Sequence, residues 1–370
     1  MAPATFTCDR DPATIVRRLA GTYRGGDVEL ARSARRAMLR AVGPQVHQRG
    51  LLEFSNHCAR NCYYCGIRRD ARLDLGGERR YALSEDQIVA VAQLCRDAGF
   101  GSMTLQSGER RDRRFVRFVE RVLRRIKRET VTSALPQGLG ITLCVGEQSR
   151  EDYERFFEAG AHRYLLRVET SSPQLFAQLH PQEQTLERRV RALRDLKQIG
   201  YQLGTGVMIG LPGQTLEDLA RDVQFFDEID ADMIGMGPYI EPIGTPARLM
   251  RRRGLVAQQT PTDRFRLSLR MIAVTRLALP DLNIAATTAL QALSPFGREA
   301  GLAHGANVVM PIVTPNSVRA AYQLYEGKPC VEDSADACAS CTARRVAAVA
   351  RPVSHNVWGD APHATKRISA

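Results

Sequence analysis

Apolar and polar positions along the chain follow two alternating regimes. Short, nearly continuous apolar runs occur at 51–54, 102–106, 140–144, 163–168, 203–208, 232–237, 283–287 and 306–310. Between most of them lie longer stretches in which apolar residues recur every three or four positions. A continuous apolar run suits a strand buried on both faces, whereas the three-and-four spacing suits a helix with one wetted face, so the pattern predicts eight strand-plus-helix units. The helix starts carry their own chemistry. Ser84 and Gln87 are spaced as a capping box, with Leu83 and Ile88 placed as its hydrophobic staple. Ser149 opens a helix to about 158, Thr185 opens one ending near Gly200, and Thr215 precedes another over 216–228. Further helices are predicted over 263–277 and 298–303, and a helical segment over 13–44 precedes the first strand.

Eight such units in series give fold class α/β, a (β/α)8 TIM-type barrel with an N-terminal helical extension and a C-terminal cysteine-containing wrap. The expected division is 1–48 for the helical extension, 49–315 for the barrel and 316–370 for the C-terminal extension, whose part after Cys341 reads as irregular. In such a barrel, residues just past the C-terminal strand ends face the substrate, and those at the other rim support the fold.

Composition narrows the function classes. With 44% hydrophobic and 25% charged residues among 370, the chain can bury a core of this kind. No apolar run reaches the length of a membrane helix, and the first residues lack a basic-then-apolar leader, so no membrane partner and a cytoplasmic location are expected. Nine cysteines are too few for a disulfide scaffold of this length, and six fall in two triplets, as metal thiolates in a reducing compartment do. The net charge of +12 is concentrated at 110–128, where Phe115, Val119, Val122 and Ile126 mark the inner face of a basic helix. A solvated face is the plain reading and an acidic partner protein the functional one; nucleic acid is not expected, because no recognition motif accompanies the charge.

The first triplet, Cys58, Cys62 and Cys65, directly follows the first strand with Cys-x3-Cys-x2-Cys spacing. Three soft thiolates can hold three corners of an iron–sulfur cube and leave the fourth iron open. Zinc would want a fourth ligand, and His57 abuts Cys58 too closely to supply it without strain. At the end of the second strand Gly108 permits a sharp turn, and Glu109 is either a group for a cationic ligand or a surface carboxylate. Arg167 and Glu169 alternate at the fourth strand's end and share a direction, as a zwitterion-positioning pair or a structural salt bridge. Arg189, on the following helix, reads from the pattern as a surface residue. The glycine loop at 210–215 either offers a helix N-terminus to an anion or simply turns the chain into its helix. It is neither a Walker loop nor a dinucleotide motif. Thr287, Thr288, Asn307 and Thr314 supply uncharged hydrogen-bond groups at the last strand ends. Cys330-x7-Cys338-x2-Cys341 reads as a second iron–sulfur or metal site, or as a zinc or vestigial loop. Cys8, Cys95 and Cys144 are unassigned.

The Cys58, Cys62, Cys65 spacing resembles the signature of the radical S-adenosylmethionine (SAM) superfamily. The stretches 52–56, 65–69, 105–109, 164–170, 210–215, 284–289, 305–311 and 322–330 are similar to the HydE family of [FeFe]-hydrogenase maturases. The resemblance implies a [4Fe–4S] cluster on Cys58, Cys62 and Cys65, SAM at its open iron, and reductive cleavage to a 5′-deoxyadenosyl radical. It further implies Glu109, Arg167, Glu169 and Arg189 as SAM contacts, and Thr142, Thr287, Thr288, Tyr322 and Tyr325 as the lining of an inner cavity. Cys330, Cys338 and Cys341 would hold an accessory [2Fe–2S] or [4Fe–4S] cluster. The implied partners are a ferredoxin or flavodoxin reductant, other hydrogenase maturation proteins, and a small-molecule or organometallic substrate, a cysteine-ligated iron carbonyl–cyanide intermediate. The chain departs from the family where Val168 stands in place of a frequent His and where 238–246 carries Glu241. A methylornithine synthase-like rearrangement of lysine is therefore the alternative, followed by a biotin synthase-like reaction. A non-enzymatic cluster carrier would need neither the open iron nor the glycine-rich pocket.

Overall fold

The computed structural model describes residues 10–71, 80–248, 259–331 and 335–369. Its strands are β1 (His47–Ser55), β2 (Ser102–Ser107), β3 (Gly140–Cys144), β4 (Arg163–Leu165), β5 (Gln202–Thr205), β6 (Met208–Ile209), β7 (Met233–Ile234), β8 (Gly237–Pro238), β9 (Asn283–Ile284) and β10 (Val308–Val309). Eight of them pair in the order β10-β1-β2-β3-β4-β5-β7-β9, every pair parallel. A bridge between Ala285 and Val308 makes the last seam of the barrel. The eight predicted runs thus become its eight staves, with helices outside.

Two of those runs are each split. The stretch 203–208 breaks between β5 and β6, and 232–237 between β7 and β8, and the outer pieces β6 and β8 pair with each other beyond the barrel. The cause is backbone proximity: a Cβ on Gly206 would lie 1.8 Å from the Gly235 carbonyl oxygen, so the two strands meet only without a side chain. Local capping chemistry is realised as written. Ser84 and Gln87 form the reciprocal box on Glu85–Asp97, and Thr215 with Asp218 forms another on Leu216–Glu228. Helix Pro261–Ala278 starts earlier than its apolar run, because Thr260 and Asp263 cap it. The N-terminal segment is two helices, Pro12–Leu19 and Gly26–Ala41, separated at Gly21 and Gly25, both with φ +86°.

The part after Cys341 corrects an expectation. It is not irregular throughout: helix Ala335–Ala348 runs past Cys341, helix Pro362–Ser369 ends the described chain, and between them the backbone stoppers the N-terminal end of the barrel. Arg163, on β4, ion-pairs with Asp360 at 2.7 Å; Arg49 and Asn283 donate to the Gly359 carbonyl at 3.0 and 2.9 Å. Trp358 donates to Gly138 at 2.9 Å under Lys127, whose ammonium sits 4.2 Å from the indole centre. Two fully buried cations, Arg49 and Arg163, make a polar stopper necessary at this rim. Burial alone would raise the Asp360 carboxyl, but His162 and Arg163 outweigh it and hold it well below the usual carboxylate range. Asn307 belongs to this supporting end, not to the site. It accepts from Arg276 and the Ile284 amide and donates to Asn283, stitching β9 to β10. Among the described residues no helix is long and apolar enough to cross a membrane.

Candidate active site

At the opposite rim β1 runs into the cysteine loop. Asn56, fully buried, donates to the Ala321 carbonyl at 2.8 Å and accepts from the Tyr81 amide at 2.7 Å. Arg80 gathers the carbonyls of Ile67 and Arg68 at 2.8 and 2.6 Å. Glycines let neighbouring loops close on the cysteines. A Cβ on Gly108 would lie 2.4 Å from the His57 carbonyl oxygen, and one on Gly66 would lie 2.0 Å from that of Gln323. The second contact ties the loop to the segment carrying Tyr322 and Tyr325.

Cys58, Cys62 and Cys65 are free, partly accessible thiols. Burial raises all three, Cys62 to about 12, and the neighbouring thiols raise Cys62 and Cys65 further. Thiols so raised stay neutral at pH 7 unless a metal takes the proton's place, a donor set that fits a cluster. Among the described residues no three of His, Cys, Asp and Glu are drawn together into a ready-made metal site.

Beside the loop lies an ionic network that sequence reasoning found only in part. Glu109 meets Arg60 at 2.5 Å and Arg111 at 3.0 Å, and accepts the Glu147 amide at 3.0 Å. Glu147 meets Arg189 at 2.7 Å, Arg111 at 2.8 Å and Arg188 at 3.3 Å. Burial would raise the Glu147 carboxyl, but Arg189, Arg111 and Arg60 overcome it and leave it lowered. Arg189 corrects the pattern reading: it is only 6% exposed and also donates to the Arg167 carbonyl. Glu147, Arg60 and Arg111 were missed, although Glu147 stands just past β3 at the same rim that singled out Glu109 past β2.

Arg167 and Glu169 do share a direction, Nε to the carboxylate at 3.0 and 3.1 Å, and Arg167 also donates to the Gly235 and Val207 carbonyls. Glu169 takes φ +68°, a left-handed conformation that costs a non-glycine residue about 1–2 kcal/mol. Neighbours hold it there. Its amide donates to Gly206, its carbonyl accepts from Met208, and Asp222 accepts both the amide and the hydroxyl of Ser171 at 2.7 Å. The second Asp222 oxygen is buried without a partner among the described residues, and burial raises this carboxyl to about 7 despite Ser171. A raised carboxyl contributes stability that is present below the unfolded-state value near 3.8 and lost as pH rises through about 7. Asp222→Asn keeps the Ser171 acceptor and cannot ionise. Its chemical denaturation midpoint should match the parent at pH 4 and exceed it at pH 8, the difference in stability widening by about 1.4 kcal/mol for each pH step from 4 to about 7 and levelling off above that. Equal midpoints at both pH values would exclude this account.

The expected cavity residues divide. Thr142 lies midway along β3, 3.5 Å from an Arg163 nitrogen, and so belongs near the stoppered end. Thr287 donates to the Met236 carbonyl at 3.2 Å, and the Thr288 hydroxyl accepts from Arg298 at 3.3 Å. Tyr322, buried, accepts from Gln106 at 3.2 Å, while its carbonyl and ring meet Lys328. Lys328 also forms a buried pair with Glu53 of β1 at 2.6 Å, which the sequence pattern does not reveal. Burial raises the Tyr325 hydroxyl, and Glu53, Arg298 and Arg167 all act on it, so these groups share one neighbourhood.

The loop at 210–215 closes on itself. Gln214 accepts the amides of Gly210 and Leu211 and donates to Met208, while the Thr215–Asp218 box occupies the helix start. It therefore acts as a turn, and with Glu241, Gln259 and Arg264 it borders a cavity of about 270 Å3. In the second triplet Cys330 takes φ +64° and its carbonyl accepts from Arg319 at 3.0 Å. Cys341 lies on helix Ala335–Ala348 beside Arg345, and the side chain of Cys338 lies outside the described residues. The basic helix, Arg113–Glu129, buries its expected apolar face. Part of its outer charge is paired, Arg121 with Glu85, Arg124 with Glu120 and Arg125 with Asp86, so the steering surface is weaker than the bare count implies.

Residues 52–226 match the radical SAM superfamily. The chain is 41% identical to the [FeFe] hydrogenase maturase subunit HydE of Thermotoga maritima, over 91% of its own length and 89% of that protein. It is 26% identical to 3-methylornithine synthase of Methanosarcina barkeri, over 77% and 74% of the two chains. The crystal structure of a methylornithine synthase shares the fold with a TM-score of 0.73, covering 94% of each chain at 23% identity.

Proposed function

The chain belongs to the radical SAM superfamily and, within it, to the HydE family, and from this we propose that it is a maturase acting on a small cysteine-ligated, iron-bound intermediate of [FeFe]-hydrogenase assembly. The observation that carries the proposal is likeness to a HydE protein sustained along nearly the whole chain, well past the stretch the superfamily shares. A [4Fe–4S] cluster with SAM, when bound, would supply a 5′-deoxyadenosyl radical. Cys58, Cys62 and Cys65 would hold the cluster, as spacing and thiol chemistry suit them to do. Arg167 and Glu169 present opposite charges in register, which suits the amino and carboxylate ends of SAM, and Arg189 is fixed behind them by Glu147. The barrel stoppered by Asp360 and Gly359 excludes water from one end, which protects a reactive carbon radical from quenching. Thr287, Thr288, Tyr322 and Tyr325 would orient the polar groups of the substrate, and Thr142 the deepest part of it.

An accessory cluster on Cys330, Cys338 and Cys341 belongs to the same reading. So does a ferredoxin or flavodoxin reductant, with the exposed Arg113, Arg114 and Arg117 as a docking face for an acidic protein.

The buried carboxylate of Glu241 at the glycine-loop cavity favours one second reading, because an enzyme that rearranges lysine needs a carboxylate near its terminal ammonium. One assay separates the two. Anaerobically prepared protein receives SAM, reductant and either the cysteine–iron carbonyl–cyanide complex or lysine, with products followed by mass spectrometry. Consumption of the iron complex with matching 5′-deoxyadenosine is expected; SAM-dependent methylornithine with the iron complex untouched would replace the maturase reading by the other.

A further inference from the structure

Helices Thr288–Leu293 and Gly297–Ala303 follow β9 and are pressed together by two glycines. A Cβ on Gly297 would lie 2.1 Å from the Leu290 carbonyl oxygen, and one on Gly301 would lie 3.0 Å from a Leu290 methyl. This contact carries Arg298 to Thr288, at the catalytic rim beyond β9. There Arg298 is only 3% exposed, and among the described residues its one hydrogen bond is to the Thr288 hydroxyl at 3.3 Å. The Arg298 Nε is buried with no partner among the described residues. The adjacent Glu299 is committed to Arg345 at 2.7 Å, and Glu53 to Lys328.

Four other buried arginines are treated differently by this fold. Arg163 has Asp360, Arg189 has Glu147, Arg276 has four oxygen acceptors, and Arg319 has the carbonyls of Thr314 and Cys330. A guanidinium offers five N–H donors, and a buried one left with a single weak acceptor is costly unless something else arrives to meet it. Its neighbourhood is the one that holds Tyr325, on which its charge acts.

We propose that Arg298, with the Thr288 hydroxyl, binds an anionic group of the substrate, a carboxylate, at the barrel mouth. The planar fork of a guanidinium matches two carboxylate oxygens, and a preset Thr288 contact fixes its plane. This rests on the reading of the chain as an enzyme of an amino-acid-derived substrate, and it names Arg298 as the residue that grips the carboxylate of that amino acid whichever side chain it carries. It acts in positioning: with the carboxylate fixed, the atom offered to the radical is decided by geometry.

The test is calorimetric binding to the cluster-loaded protein with SAM present, using the cysteine–iron carbonyl–cyanide complex and lysine, each against its carboxamide counterpart. Wild type should bind one acid about 10- to 100-fold more tightly than its amide, the range of a lost charged hydrogen bond. Arg298→Gln should bind that acid and its amide alike, and Arg298→Lys should recover part of the preference. Preference for lysine over lysinamide, with no binding of the iron complex, would remove the maturase reading and keep this one. A wild type indifferent to acid and amide in both pairs, or an Arg298→Gln protein that keeps the full preference, overturns the proposal. Equal weakening of acid and amide would reduce Arg298 to support of the fold and overturn it too.

Discussion

Alanine at Cys58, Cys62 and Cys65 together is expected to abolish 5′-deoxyadenosine formation and the response of the reduced cluster's paramagnetic resonance to SAM. The expectation follows from the thiols' surroundings as much as from their spacing. Burial pushes each above the ordinary thiol range, and the neighbouring thiols raise Cys62 and Cys65 further, so without a metal they would be neutral groups. Metal binding reverses that, since only the thiolate is a ligand and a bound cation favours it strongly. Single variants should nearly match the triple, because a cube held by two protein thiolates loses a corner that no nearby carboxylate replaces: Glu109 is held by Arg60 and Arg111. Iron need not fall to zero, as the second triplet could keep its own share. Iron and sulfide analysis therefore accompanies the resonance measurement. A triple variant that keeps both its full iron content and its SAM response would place the cluster elsewhere in the chain.

The barrel was legible because its signals are local. Eight apolar runs, Ser84–Gln87, Ser149, Thr185 and Thr215 each act within a few residues, and the strands and caps formed where they stood. What escaped depends on partners far away in sequence. Arg189 looks like one arginine among several on an exposed helix until β3 brings Glu147 against it. Lys328 meets Glu53 across 275 positions, and Asp360 reaches Arg163 across 197. In each case a buried cation had to find its anion through the fold, and no periodicity records such a meeting. The breaks at Gly206 and Gly235 escaped for a related reason: glycine's freedom is visible in sequence, but the opposing carbonyl that requires it is not. Arg60 and Arg111 flank residues that were singled out, and among so many arginines only the carboxylates opposite them set them apart.

Glu147→Gln is the substitution expected to cost most stability outside the cysteine loop. Its carboxylate is 3% exposed and gathers Arg189, Arg111 and Arg188, of which Arg189 is itself buried. Glutamine keeps the volume and one acceptor but leaves the Arg189 charge in the interior without its counter-ion, a loss of about 3–5 kcal/mol for a buried pair broken on one side. The dependence on pH fixes the cause. The folded-state carboxyl is lowered from 4.5, burial opposing and the arginines prevailing, so its stabilisation is present above that value and disappears as pH falls through the lower, folded-state one. Urea midpoints of parent and variant should therefore lie far apart at pH 7 and converge in the acid range, the reverse of the trend at Asp222. Arg189 also donates to the Arg167 carbonyl, so loosening it disturbs the backbone just ahead of Glu169, and the KM for SAM should rise more than kcat falls. A gap between the midpoints that stays constant from pH 7 to pH 3 would mean that Glu147 acts by shape and hydrogen bonding, and that Arg189 is held without its charge.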